Sequence, residues 1–425
     1  MITDPAAIER PGWVDAVNAG EILPIALEAQ RPFAPGVLLD AALARRGLDA
    51  GEVDAFCAPG PGTGEDFLEP FALLLESLEL DAQLTILGRW ITHRFLDRLL
   101  DVRLQIAAYV REDPGVREER IGEPIIVVGA PRTGTTALHA LLAADHRHRV
   151  PLGWELLRPV PPPLAGIEDG RVALADLELR LPQTVSGGLE SIHAYSGRMH
   201  KECLSAMSLT FRSEEFVSRY ATARYIDWLG ACDMTPAYEM HRLVLQILQR
   251  RQPTARWVLK SPVHLHNLDP LLATYPDARL IVTHRDPLAI LGSVTSLIAT
   301  LRSVHSDVVS IPEIGRYHAE LHLSDLDGLR VRSAHGFADG AVLAHVSFEQ
   351  LRLDPIGTLE GIHADLGLTM PDEVRASMMR VIEDRAAESA AVHPWSFETL
   401  GLDQQEMRRR FSAYCEAFEV PEEVR

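Results

Sequence analysis

Lysine is almost absent from this 425-residue chain: of 41 basic side chains, only Lys201 and Lys260 are lysines and the rest are arginines. The four cysteines, Cys57, Cys203, Cys232 and Cys415, lie far apart with no CxxC pair, which excludes a structural zinc site and a disulfide framework and points to a reducing compartment. An excess of positive charge is missing too. Sixty acidic residues give a formal net charge of −19, which excludes nucleic acid or an anionic membrane as the main partner, so an anionic ligand requires a local basic pocket. No apolar run approaches the roughly 18 residues of a membrane span. The opening MITDPAAIERPG has no basic segment followed by an apolar one, so a cytoplasmic protein without a targeting signal is expected.

What is present gathers around residues 123–145, EPIIVVGAPRTGTTALHALLAAD. Ile125 to Val128 form a β-branched run suited to a strand buried on both faces. Gly129 to Gly134 interrupt it, and Leu138, Leu141 and Leu142 then recur at helical spacing. A strand, a tight glycine loop and a helix aim backbone N–H groups and the positive end of a helix dipole at one spot, which makes an anion site. Against the pattern GxxxxGK[ST], GAPRTGTT has both glycines and the hydroxyl, but Thr135 stands where the phosphate-reaching lysine belongs. The loop's cation is Arg132, whose guanidinium can grip a pair of phosphate or sulfate oxygens.

Pro131-Arg132-Thr133-Gly134-Thr135-Thr136 resembles the 5′-phosphosulfate loop of the sulfotransferases. Downstream, Arg285 ends a hydrophobic strand-like run and Ser293 follows eight residues later, the spacing at which that superfamily binds the 3′-phosphate of 3′-phosphoadenylyl sulfate (PAPS). The residues alone leave another reading: Arg285 pairs with Asp286 at a helix start, and Ser293 is a solvated helix residue. The likeness continues in Trp257 to His264 (WVLKSPVH), Thr283 to Pro287 (THRDP), Ser347 to Pro355 (SFEQLRLDP) and the tail His393-Pro-Trp-Ser with Gly401-Leu402 and Phe411. It covers about residues 120–425 and is that of a bacterial sulfotransferase with an N-terminal helical extension. Phe348 departs from it, standing where relatives often carry a tyrosine that contacts adenine.

The expected architecture is α/β, a P-loop-type parallel sheet flanked by helices, since strand patterns at 125–128, 257–259, 280–283 and 342–346 alternate with helical ones. Residues 1–120 read as a mainly helical extension with one long amphipathic helix from about Asp81 to Tyr109. Residues 121–425 read as the catalytic domain, with a helical acceptor-binding insertion at about 159–251. Helices are expected at Tyr220 to Leu229, Met240 to Leu248 and, without interruption, Phe348 to Leu366.

The resemblance implies sulfuryl transfer from PAPS to a hydroxyl or amine of a small-molecule acceptor, leaving 3′,5′-adenosine bisphosphate, without a metal. Expected to bind the nucleotide are Arg132, Thr133, Gly134, Thr135, Thr136, Arg285, Ser293 and Phe348. Arg132 and Lys260 are candidates to stabilise the leaving phosphate. Glu155, between Trp154 and Leu156, is the first candidate for general base, against a buried structural carboxylate; His264, four residues after Lys260, is second and His193 third. Trp154, Tyr195, Phe211 and Trp228 hint at a hydrophobic alcohol. A P-loop kinase is disfavoured by the missing loop lysine and by the lack of a strand ending in a metal-binding aspartate. A non-catalytic nucleotide-binding protein and a homo-oligomer stay open.

Overall fold

Ile125–Val128 (β1) is the centre of a sheet in which every strand runs parallel to its neighbours. The others are His148–Arg149 (β2), Arg256–Lys260 (β3), Arg279–His284 (β4) and Val342–Ser347 (β5), in the order β2-β3-β1-β4-β5. A computed structural model describes residues 10–423 apart from 187–188, 190–194, 253–255, 338–341 and 387–394.

Side chains alternate across β1 with the two-residue period of a strand. Ile125 and Val127 join Leu138, Leu141 and Leu142 of the helix Thr135–Ala143, with Leu359 and Ile362, on one face. Ile126 and Val128 face the larger core, with Leu245, Leu248 and Ile290. Helices on both sides bury a parallel sheet as its uniformly apolar strands require.

The long helix of the first 120 residues spans Ile86–Glu112, and Thr85 Oγ1 caps it by accepting from Gly88 N at 3.0 Å. Its Phe95, Leu99, Val102 and Ile106 belong to the same core as Ile126 and Val128, so the helical extension is built onto the sheet domain through shared apolar contacts. Two expectations need correction. The helix after β5 is broken into Phe348–Leu353 and Pro355–Asp365, because Pro355 has no N–H to continue the ladder and Asp354 caps the second piece by accepting from Gly357 N at 2.9 Å. Helix Ala223–Leu229 starts three residues later than its pattern suggested, Tyr220 having extended backbone.

The register brings the informative residues to one edge. Val127 lies beside Lys260, Val128 beside Val282 and His284 beside Ser347, so the loop after β1, Lys260, Arg285 and Phe348 all emerge at the carboxyl ends of adjacent strands, where open α/β sheets bind ligands.

Candidate active site

The loop after β1 is shaped by close approach to β4. Gly129 has φ +158°, and a Cβ there would stand 2.1 Å from Thr283 Oγ1. Thr133 fills that space from the loop side, its hydroxyl 2.6 Å from Thr283 Oγ1 and donating to Ala130 O at 2.7 Å. Gly134 precedes the helix at φ +88° with no side chain capping the first turn, so backbone N–H groups face the loop's mouth. A Cβ on Gly134 would meet the Phe348 ring at 3.1 Å. Thr135 is buried and Thr136 exposed, which puts the second hydroxyl at the opening.

Arg132, Ser293 and Arg285 are brought together. Arg132 adopts φ +69°, and its Nε donates to Ser293 Oγ at 2.9 Å. Arg285 Nη1 donates to Arg132 O at 2.7 Å, and its guanidinium stands 4.0 Å above the Phe348 ring. Burial, and after it the charge of Arg285, pull the Arg132 pKa down from its ordinary value, as expected where two cations stand close together. Arg285 also donates to both oxygens of Glu423, with Nε at 2.9 and 3.1 Å and Nη2 at 2.8 Å. The pairing of Arg285 with Asp286 weighed above does not form this site: the Asp286 carboxylate accepts from Arg408 Nη1 at 2.8 Å, from Leu288 N at 3.0 Å and from Glu423 N at 2.8 Å.

Lys260 is buried at the end of β3, and its Nζ donates to Thr136 Oγ1 at 3.1 Å and to Glu202 Oε1. Lysine, loop and carboxylate are thus linked in one hydrogen-bonded row. Glu202 was missed from sequence because it lies 58 residues from its partner in a segment without periodicity; the available signal was that it directly follows the chain's other lysine.

Glu155 does not join this row. It is 4% exposed, its Oε1 accepts from Arg149 Nη2 at 2.7 Å and its Oε2 from Leu152 N at 2.9 Å, capping the helix Gly153–Leu157. Arg149 lies over the Trp257 ring at 4.6 Å, and Trp257 precedes Lys260 by three residues, about 10 Å along a strand. The buried structural carboxylate is the reading its surroundings favour. His264 is fully buried, with Nδ1 2.9 Å from the Tyr238 hydroxyl, and burial holds its pKa well below the ordinary histidine value. An acceptor cannot reach it without opening the core. His193 and His393 lie outside the described residues. Among the acceptor hints, Phe211 is a core residue and Trp154 packs beneath Arg171 at 4.8 Å, whereas Tyr195 stays half-buried beside Lys201, 4.9 Å from its ring.

An arginine-bearing loop at the edge of a parallel sheet, joined by a second arginine after the neighbouring strand and a serine on the helix that follows, is an arrangement able to hold an anionic group. Residues 124–372 match the profile of the sulfotransferase family, and the chain belongs to that family. It is similar to the sulfotransferase STF9 from Mycobacterium avium, with a TM-score of 0.80 and 26% identity over 93% of this chain and 99% of that structure. It is similar to the sulfotransferase STF1 from Mycobacterium tuberculosis, with a TM-score of 0.74 and 29% identity over 88% of this chain and 97% of the other. Among curated proteins, the omega-hydroxy-beta-dihydromenaquinone-9 sulfotransferase Stf3 of Mycobacterium bovis is 26% identical over 260 residues, which is 58% of this chain. The match spans 63% of that relative's length. No helix among the described residues is long and apolar enough to cross a membrane.

Proposed function

We propose that the chain transfers a sulfuryl group from PAPS to a hydroxyl or amine of a small-molecule acceptor in the cytoplasm, with no metal requirement. The observation that carries this reading is the chain of contacts Ser293–Arg132–Arg285 at one end of the glycine loop and Thr136–Lys260 at the other.

The residues fit the donor's two charged ends. Arg285 and Ser293 suit a 3′-phosphate, a dianion that favours a rigid guanidinium fork and a hydroxyl. The uncapped first turn of the loop helix, Arg132 and Thr136 suit the 5′-phosphosulfate. When bound, PAPS supplies an activated sulfuryl group and a phosphate leaving group. Lys260 stabilises the charge that grows on the leaving oxygen, and it does so from a buried position where water does not compete. Phe348 offers an aromatic face beside the loop, one side of it covered by Arg285.

The test is calorimetric titration with 3′,5′-adenosine bisphosphate in EDTA, beside ATP with magnesium. The expected result is metal-free, micromolar or tighter binding of the bisphosphate that is lost in an Arg285→Ala, Ser293→Ala double variant. Binding of ATP with magnesium, and not of the bisphosphate, overturns the reading in favour of a kinase.

A further inference from the structure

The placement of Glu202 deepens the sulfuryl-transfer reading and rests on it. Residues 199–203 form a strap whose backbone is fixed from two directions. Gly153 N donates to Met199 O at 2.8 Å and Lys201 N to Pro151 O at 2.9 Å, while Cys203 N donates to Lys260 O at 3.1 Å. Glu202 lies between the last two anchors. Its Oε1 takes a hydrogen bond from Lys260 Nζ, which donates with another proton to Thr136 Oγ1. The carboxylate therefore stands one ammonium group away from the first turn of the loop helix.

Exposure differs across this pair in a telling way. The Lys260 side chain is 4% exposed and that of Glu202 is 25%, so the carboxylate is the member that an acceptor arriving from solvent meets. Glu155 and His264, the other groups considered for proton transfer, are shut away behind Arg149 and Tyr238.

We propose that Glu202 is the general base of the transfer. As the acceptor oxygen bonds to sulfur, the bond between sulfur and the 5′-phosphate oxygen breaks, and the phosphate leaves with that electron pair. The acceptor's proton passes to Glu202 and is later lost to solvent. Lys260 already bridges Glu202 and the loop, so it can turn to the departing oxygen without a backbone movement. Losing that ion pair leaves the carboxylate more basic at the moment a base is required. His200, an exposed residue of the same strap whose ring packs edge-on against His139, is the neighbouring group able to take the same proton.

The experiment compares the full-length protein with Glu202→Gln, Glu202→Asp and His200→Gln. Binding of 3′,5′-adenosine bisphosphate is measured by calorimetry, and turnover of PAPS with p-nitrophenol, 4-methylphenol and benzyl alcohol as probe acceptors. Glu202→Gln is expected to bind the bisphosphate at least as tightly as the wild type, because the internal competitor for Lys260 has lost its charge. Its turnover should fall about 10²–10⁴-fold on benzyl alcohol, far less on the acidic p-nitrophenol, which is already substantially ionised at neutral pH and has less need of a base, and to an intermediate extent on 4-methylphenol. Glu202→Asp should restore part of the alcohol activity. Equal losses on all three acceptors would make Glu202 a positioning residue for Lys260 and overturn the assignment. Unchanged turnover in Glu202→Gln with a loss in His200→Gln would move the role to His200. Failure of the wild type to bind the bisphosphate sinks the transfer reading itself. Binding without turnover on any acceptor refutes both the base assignment and the activity.

Discussion

The site holds two cations on two carboxylates, and the pairs are not alike. Glu202, on Lys260, sits in a strap tied by backbone hydrogen bonds to the loop before the helix Gly153–Leu157 and to the end of β3. Glu423, on Arg285, belongs to the segment after the last described helix, Gln404–Ala417, and is positioned there by its own N–H on Asp286. The first carboxylate is fixed in the framework at the end where a bond would be broken. The second covers the group suited to a phosphate, and the side chains of that pair are 19% and 32% exposed. A counter-ion next to the leaving oxygen could serve as a reagent, whereas one that covers a guanidinium suited to a phosphate could be displaced by a stronger anion. Glu155 adds a third case, a carboxylate whose charge is spent on holding the fold.

The largest effect expected from breaking this contrast is structural. Glu155→Gln removes the charge of a buried carboxylate paired with the part-buried Arg149, and breaking a buried pair costs about 3–5 kcal/mol. Chemical denaturation should show that drop, while the folded fraction keeps its affinity for 3′,5′-adenosine bisphosphate. Retained stability with lost turnover would instead return Glu155 to the chemistry. Next comes Lys260→Ala, expected to reduce PAPS turnover by about 10²–10³-fold through the lost cation at the leaving oxygen; a change confined to KM would place Lys260 in binding only. Arg285→Ala should weaken the bisphosphate by about 1.5–3 kcal/mol, the range for hydrogen bonds to charged groups, read directly by calorimetry. The smallest effect has the opposite sign. Glu423→Gln should tighten bisphosphate binding by up to about 1 kcal/mol, the most a partly exposed pair normally holds. Weaker binding in that variant would show that Glu423 orients Arg285 for the ligand and would end its description as a displaceable counter-ion.

Much of the loop half was legible because its chemistry is local. Gly129, Arg132, Gly134 and Thr136 lie within eight residues of one another, and the apolar run before them and the helical spacing after them each need only a few neighbours to be recognised. Lys260, Arg285 and Phe348 stand at strand ends for a related reason, since strands in a parallel sheet deliver their carboxyl ends to one edge, and Ser293 lies on the helix Pro287–Ser303 that follows one of them. The carboxylates were not legible. Glu155 is flanked by Trp154 and Leu156, which suggested a perturbed acid, but nothing local indicated that Arg149 would turn onto it across Trp257. Glu202 and Glu423 meet their partners over separations of 58 and 138 residues, and no periodicity of a helix or strand encodes such a meeting. The break at Pro355 was visible in the residue itself, and the apolar pattern running through it masked the signal.

One peptide unit joins the two ends of the site. Arg132 holds a left-handed backbone that side-chain-bearing residues adopt uncommonly, and the two groups that pin it, Arg285 on its carbonyl and Ser293 on its guanidinium, both come from the far half. The loop is therefore keyed from a distance. A ligand that engaged Arg285 and Ser293 would touch both of the groups that hold Arg132, so a donor truncated at its 3′ end would lose its contacts to the very groups that fix the loop.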